Sequence, residues 1–432
     1  MKEKKLGIVT LTALVTGNMI GSGIFLLPAA MARLGSMTLI SWIFTSLGSL
    51  FLAFVFARLS QSMPETGGPY AYARMGLGDA FGCQTAYCYW INAWVGNAVI
   101  ILAGVGYLSV FFPALTDPRF GCMAAIGLVW VFTALNLKGV YAAGIFQLIS
   151  TISKLIPILF IAICGWFFFH VDYIIESANV SNPPMSTFGV ITQGAILTLW
   201  AFTGLETATV PADSVDNPKR NIPIATILGT LIASGCYILG STVIMGMIPN
   251  GQLQNSLSPF ADAAQILLGN WGKWIIAGGA VISCLGTLNG WIMIQAQIPM
   301  AAAHDNLFLK IFARRNKYGA PVNALIISSA LVSLLLFLTI SPDLINQFKF
   351  ILLMATLTAL ISYFYTPIAE LILYITGKIS LTRGSIIVAI LAMLYSFWAI
   401  TGAGIEVLSY GVLVVLSSIP FYLIVLWRKS KN

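Results

Sequence analysis

Glu206 is the only charged residue in the apolar stretch Trp200-Ala201-Phe202-Thr203-Gly204-Leu205-Glu206-Thr207-Ala208-Thr209-Val210-Pro211. An ionisable side chain inside a membrane-length segment is costly and marks a functional position. Glu206 therefore suits a proton-responsive group or a partner for cationic cargo. Trp200 and Trp291 fall at mid-span rather than in the interfacial belt where tryptophan gathers. A desolvated cation over an indole face gains roughly 2 kcal/mol or more, although core packing explains an isolated tryptophan equally well. A further segment is dense in polar and aromatic groups: Tyr89, Trp90, Asn92, Trp94 and Asn97. The types needed for enzyme chemistry do not cluster. His170 and His304 are the only histidines and lie far apart, and the six cysteines form no CxxC pair. No metal, cofactor or disulfide framework is expected.

The backbone offers chemistry of its own. The stretch Gly17-Asn18-Met19-Ile20-Gly21-Ser22-Gly23-Ile24-Phe25-Leu26-Leu27-Pro28 carries three glycines in the middle of an apolar segment. Gly21 precedes Pro28 by seven residues, as Gly204 precedes Pro211. Glycine costs on the order of 1 kcal/mol in a helix interior, and a Gly-Ser-Gly run invites the helix to break. In lipid such a break survives only where protein or a watery cavity receives the freed backbone groups. Paired interruptions in two halves of a chain point to the substrate site of a secondary transporter. A half-helix restarting after Gly23 would aim the N–H groups of Ser22, Gly23 and Ile24 at a carboxylate. A half-helix ending near Trp200 to Thr203 would offer carbonyls to an ammonium. Together they suit the head of an amino acid. Close helix packing through small residues is the alternative for one such segment; a matched pair favours the site.

These stretches need a membrane scaffold. Of the 432 residues, 58% are hydrophobic and 8% charged, against about a quarter charged in soluble proteins. Spans are expected near 8–32, 38–60, 80–112, 121–138, 145–170, 190–212, 222–249, 272–302, 322–340, 346–374, 382–402 and 405–427. The basic start at Lys2, Lys4 and Lys5 resembles a signal peptide, but the apolar stretch behind it is too long, so it is expected to remain as the first span. The net charge of +8 sits mostly in the segments that twelve spans would place on the side of the N-terminus, among them Arg58, Arg74, Lys219, Arg220, Arg314 and Arg315. That is the positive-inside pattern, with both termini cytosolic, and not a nucleic-acid surface. The predicted fold is an all-α polytopic membrane protein of twelve transmembrane helices forming a single domain, 1–432. Spans 1–5 (about 8–170) and 6–10 (about 190–374) form inverted repeats, with helices 1 and 6 broken at mid-membrane, and two extra helices follow at about 382–427. Tyr70 to Gly78 suits a short interfacial helix, and residues 171–189 the longest external loop. Lys349 is expected to snorkel outward and Glu370 to be half solvated; Lys154 falls in or near the membrane without an assigned role.

At these residues the sequence resembles the basic amino acid/polyamine antiporters of the amino acid–polyamine–organocation superfamily. The resemblance runs the whole length. It is strongest in Gly17–Gly23 and in Thr198-Leu199-Trp200-Ala201-Phe202, and especially specific in Asn217-Pro218-Lys219-Arg220-Asn221-Ile222-Pro223-Ile224-Ala225-Thr226 and Met245-Gly246-Met247-Ile248-Pro249-Asn250. It implies the leucine-transporter-like fold and one-for-one exchange of a cationic amino acid for its decarboxylated amine, with arginine/agmatine favoured and ornithine/putrescine, lysine/cadaverine or proton-coupled uptake as alternatives. On the arginine/agmatine pattern the amides of Ser22 and Gly23 take the carboxylate, and carbonyls near Met19 and Trp200 hold the α-amino group. Trp291 then stacks on the guanidinium, Asn97 hydrogen-bonds it, and Trp200 closes over the ligand. Tyr89, Glu206 and Tyr363 match a distal gating cluster, with Glu206 linked to pH sensitivity. Thr203, Ala93, Ile100 and Ala355 depart from that pattern, and Thr339-Ile340-Ser341-Pro342 resembles ornithine/putrescine exchangers. The resemblance further implies a bacterial inner-membrane location, a functional link to a cytosolic decarboxylase that supports acid resistance, and an architecture often found as a homodimer.

Overall fold

The computed structural model describes residues 5–177, 186–340, 344–402 and 405–430. Lys2, Lys4 and the Ser341-Pro342 pair lie outside them, as do the Lys349 side chain and residues 178–185 of the expected external loop. The chain is almost wholly helical. Its helices are α1 (Ile8–Met19), α2 (Ser22–Met31), α3 (Met37–Ser62), α4 (Pro69–Leu77), α5 (Asp79–Leu108), α6 (Pro118–Asn136), α7 (Val140–Cys164) and α8 (Val171–Ser177). There follow α9 (Thr187–Phe202), α10 (Pro218–Met247), α11 (Asn250–Leu253), α12 (Pro259–His304), α13 (Val322–Leu338), α14 (Leu344–Ile375), α15 (Arg383–Gly402) and α16 (Ile405–Ser430).

Among the described residues, 10 segments are long and apolar enough to cross a membrane, counting α1 with α2 and α9 with its following turn as single crossings. Val322–Leu338 and Gly411–Trp427 are shorter apolar helices. The outer faces carry large exposed apolar side chains such as Ile43, Leu47, Ile152, Ile156 and Leu394, as a surface wetted by lipid requires. Polar groups are turned inward instead: Thr16, Asn18, Asn92, Asn97, Lys154, Glu206 and Gln295 are all buried.

Two local expectations are corrected. Gly269, at φ 65° and ψ −156°, breaks the run Pro259–His304 into two helices, and the longer one, after the break, contains the crossing expected at 272–302. The start of the 171–189 loop is helical over Val171–Ser177. Glu370 is not half solvated: its side chain is 0% exposed, because Arg58 reaches it from α3 with Nε and Nη2 at 2.8 Å from the two carboxylate oxygens. A bidentate guanidinium supplies the countercharge that water would otherwise provide. The short helix expected at Tyr70 to Gly78 is present as α4.

Candidate functional site

Both expected interruptions are present. α1 ends at Met19, Ile20 leaves helical geometry at ψ 89°, and Gly21 stands at φ −139°, ψ −127° before α2 starts. The helix restarts at Ser22, earlier than the expected restart after Gly23, so the N–H groups of Ser22, Gly23 and Ile24 form its first turn. In the second crossing α9 ends at Phe202. Thr203 turns to ψ 124°, Gly204 adopts φ 117°, and a 3₁₀ turn follows at Thr207–Thr209. Glu206 thus lies inside the interruption rather than beyond it.

The two interruptions touch. A Cβ on Gly204 would stand 3.3 Å from the carbonyl carbon of Asn18 and 3.4 Å from the Met19 nitrogen, while one on Gly23 would stand 2.9 Å from Cβ of Ala201. The Tyr237 hydroxyl donates to the Ala201 carbonyl at 2.7 Å and pins the end of α9.

Lys154, on α7, holds the first interruption in shape. Its Nζ donates to the carbonyls of Gly17 at 2.6 Å and Ile20 at 2.7 Å and to Thr287 Oγ1 at 3.0 Å, which uses all three ammonium protons. The Thr287 hydroxyl lies 2.9 Å from the Gly17 carbonyl and 3.1 Å from that of Ile20. Carbonyls freed at a helix end carry about half a unit of negative charge, so a buried ammonium is the natural cap. Gln147 Nε2 donates to Asn18 Oδ1 at 3.3 Å, and Trp291 Nε1 donates to the Asn18 carbonyl at 3.2 Å. Sequence reasoning gave Lys154 no role, although its signal equalled that of Glu206: a charge inside a crossing. It gave none to Thr287 or Gln147 either, because an uncharged polar side chain on one helix does not announce its acceptor on another.

The Glu206 carboxylate gathers three donors. Tyr89 OH donates to Oε1; Tyr363 OH donates to Oε2 at 2.6 Å, and the Gly204 amide to the same oxygen at 3.2 Å. The expected Tyr89–Glu206–Tyr363 cluster is therefore assembled, from α5, the interruption and α14. Beside it the rings of Tyr89 and Trp291 lie 6.3 Å apart at 28°. Trp200 packs on α5 at Gly96, where a Cβ would come within 2.6 Å of the indole. Ala93, Thr203 and Ala355 are buried, and Asn97 Nδ2 donates to Gln295 Oε1 at 2.9 Å. Gln295 continues to Ser329 Oγ at 3.2 Å, which anchors Asn97 to α12 and α13.

On the face where α12 ends, the chain beyond the second interruption is covered. Gly67 N donates to the Val210 carbonyl at 3.0 Å and Leu6 N to that of Ser214 at 2.8 Å. Tyr70 OH donates to Asp305 Oδ2 at 2.6 Å, and Arg74 Nη1 lies 2.6 Å from the same oxygen. Burial first, then the Asp305 carboxylate, pushes the Tyr70 phenol above its ordinary range, so it stays a proton donor. Among the described residues no group of three or more His, Cys, Asp and Glu could hold a metal ion.

Two helical crossings broken at touching points, with buried charge on either side, are the arrangement found at the substrate sites of secondary transporters. The family model for "Amino acid permease" matches residues 6–428. The "Cadaverine/lysine antiporter" of Escherichia coli (strain K12) is 35% identical over 427 residues, covering 97% of this chain and 94% of that protein. The "Putrescine transporter PotE" of the same strain is 35% identical over 424 residues, covering 98% and 96%, and that of Haemophilus influenzae 34% over 423, covering 98% and 97%. The chain belongs to the basic amino acid/polyamine antiporter family of the amino acid–polyamine–organocation superfamily.

Proposed function

We propose that this protein exchanges an external dibasic amino acid for its internal decarboxylated diamine, with lysine/cadaverine and ornithine/putrescine ahead of arginine/agmatine. Gly204 seated on the Asn18–Met19 backbone is the observation that carries this reading, because it brings both interruptions to one point. The Ser22 and Gly23 amides receive the α-carboxylate, and the carbonyls at Met19 and Trp200 receive the α-amino group. Trp291 and Trp200 supply indole faces, Asn97 a polar flank, and Ala93 and Thr203 the lining. Tyr89, Glu206 and Tyr363 form the distal gate. The names of the relatives support the two diamine pairs, and the departures at Ala93, Ile100, Thr203 and Ala355 weigh against arginine.

The same reading includes twelve crossings, inverted repeats over about 8–170 and 190–374, an inner-membrane location and cytosolic termini. A decarboxylase that consumes the imported amino acid makes the cycle remove protons from the cell, which suits acid resistance. A homodimer is consistent with the architecture. Competition by lysine, ornithine, arginine and their decarboxylated amines for exchange in proteoliposomes tests the assignment. Inhibition by arginine and agmatine alone would replace the diamine pairs, and inhibition by none of them would end the reading.

A further inference from the structure

Asn92 is 0% exposed, and neither its Oδ1 nor its Nδ2 has a hydrogen-bond partner. Buried polar groups are almost always paired, so the bare acceptor Oδ1 of Asn92 calls for an absent donor. Its position on α5 indicates where that partner lies. Tyr89 is three residues before it and Gly96 four after, which puts all three on one helical face. Tyr89 binds Glu206 and stacks with Trp291, and Gly96 backs Trp200. Phe81 lies eleven residues earlier, three helical turns along the same stripe, and its ring packs edge-on against Tyr365 of α14 at 5.3 Å. Asn92 therefore sits at the seam of α5 with α14, on the opposite flank from Asn97, whose Nδ2 is committed to Gln295 on α12. Ser362 Oγ on α14, next in sequence to Tyr363, is likewise buried and unpartnered.

We infer that Asn92, with Ser362 on the helix packed against α5, forms a subsite for the distal primary ammonium of the cargo. This rests on the exchange reading above and adds the group that recognises the far end of the chain. An ammonium has three donors to spend on a carboxamide oxygen and a hydroxyl. The flat guanidinium fork suits a carboxylate pair better than one amide and one hydroxyl.

Norleucine, which is lysine without its ε-ammonium, makes the test specific. Inhibition of exchange by lysine and by norleucine is compared in proteoliposomes carrying wild type, Asn92→Leu, Asn92→Asp or Ser362→Ala. Removing hydrogen bonds to a charged group is expected to reduce the lysine-over-norleucine preference at least about tenfold in Asn92→Leu and less in Ser362→Ala. Asn92→Asp, which keeps an acceptor and adds charge, is expected to keep or raise that preference, and it decides the matter if the leucine variant fails to fold. An unchanged preference in Asn92→Leu, or a lowered one in Asn92→Asp, would overturn the subsite while leaving the exchange reading intact. Wild-type protein without preference for lysine would overturn both.

Discussion

Gly204 rests on the backbone of Asn18, with a virtual Cβ only 3.3 Å from the Asn18 carbonyl carbon, at a φ of 117° that side-chain-bearing residues rarely adopt. The dihedral strains any larger residue, and the Cβ it adds meets the Asn18 backbone at a tight contact distance. Gly204→Val is expected to lower stability by about 1–3 kcal/mol and to slow exchange at least tenfold. Thermal unfolding in detergent and counterflow in proteoliposomes measure the two effects. A variant matching wild type in both would show that the interruptions do not need to meet.

Lys154 closes the other side of the same junction. Lys154→Met leaves the Gly17 and Ile20 carbonyls without their ammonium donor, although Thr287 still reaches them. Charged hydrogen bonds of this kind contribute about 1.5–3 kcal/mol each, so loss of exchange together with a clear fall in unfolding temperature is expected. Lys154→Arg is expected to fail as well, because the planar fork does not fit a site shaped for a compact ammonium. Full activity in Lys154→Arg would contradict that geometry.

Much of this site was legible beforehand, and the reason is physical. Breaking a helix in lipid takes glycine and proline, residues whose cost announces them, so Gly21 and Gly204 stood out. Mid-membrane charge is equally conspicuous, which is why Glu206 was found. The position of Glu206 within the bend, the burial of Glu370 by Arg58 and the capping by Lys154 were not legible. Each depends on which distant helix comes alongside, and periodicity along one helix does not encode its neighbour.

Glu206 accepts hydrogen bonds from Tyr89, Tyr363 and the Gly204 amide. Glu206→Gln turns one acceptor oxygen into a donor that faces donors, so exchange is expected to fall at least as far as in the Tyr89→Phe, Tyr363→Phe double variant. Initial exchange rates at saturating substrate compare them. A Glu206→Gln variant faster than the double tyrosine variant would remove the carboxylate from the centre of the cluster.

The Arg58–Glu370 pair ties α3 to α14, with the carboxylate fully buried and the guanidinium 22% exposed. Breaking one side of a buried pair costs roughly 3–5 kcal/mol, less where water reaches the arginine. Arg58→Met and Glu370→Met are each expected to destabilise, and the double variant to be more stable than Glu370→Met or Arg58→Met alone. Additive losses in a double-mutant cycle would show that the two residues act separately.

Counterflow tests the central claim most directly. Labelled lysine is offered to proteoliposomes either empty or preloaded with cadaverine, using wild type and Trp291→Ala. Uptake is expected only into preloaded vesicles with wild type, and is expected to collapse in Trp291→Ala. Equal uptake into empty vesicles, or an unimpaired Trp291→Ala variant, would contradict exchange through the junction of the two broken helices.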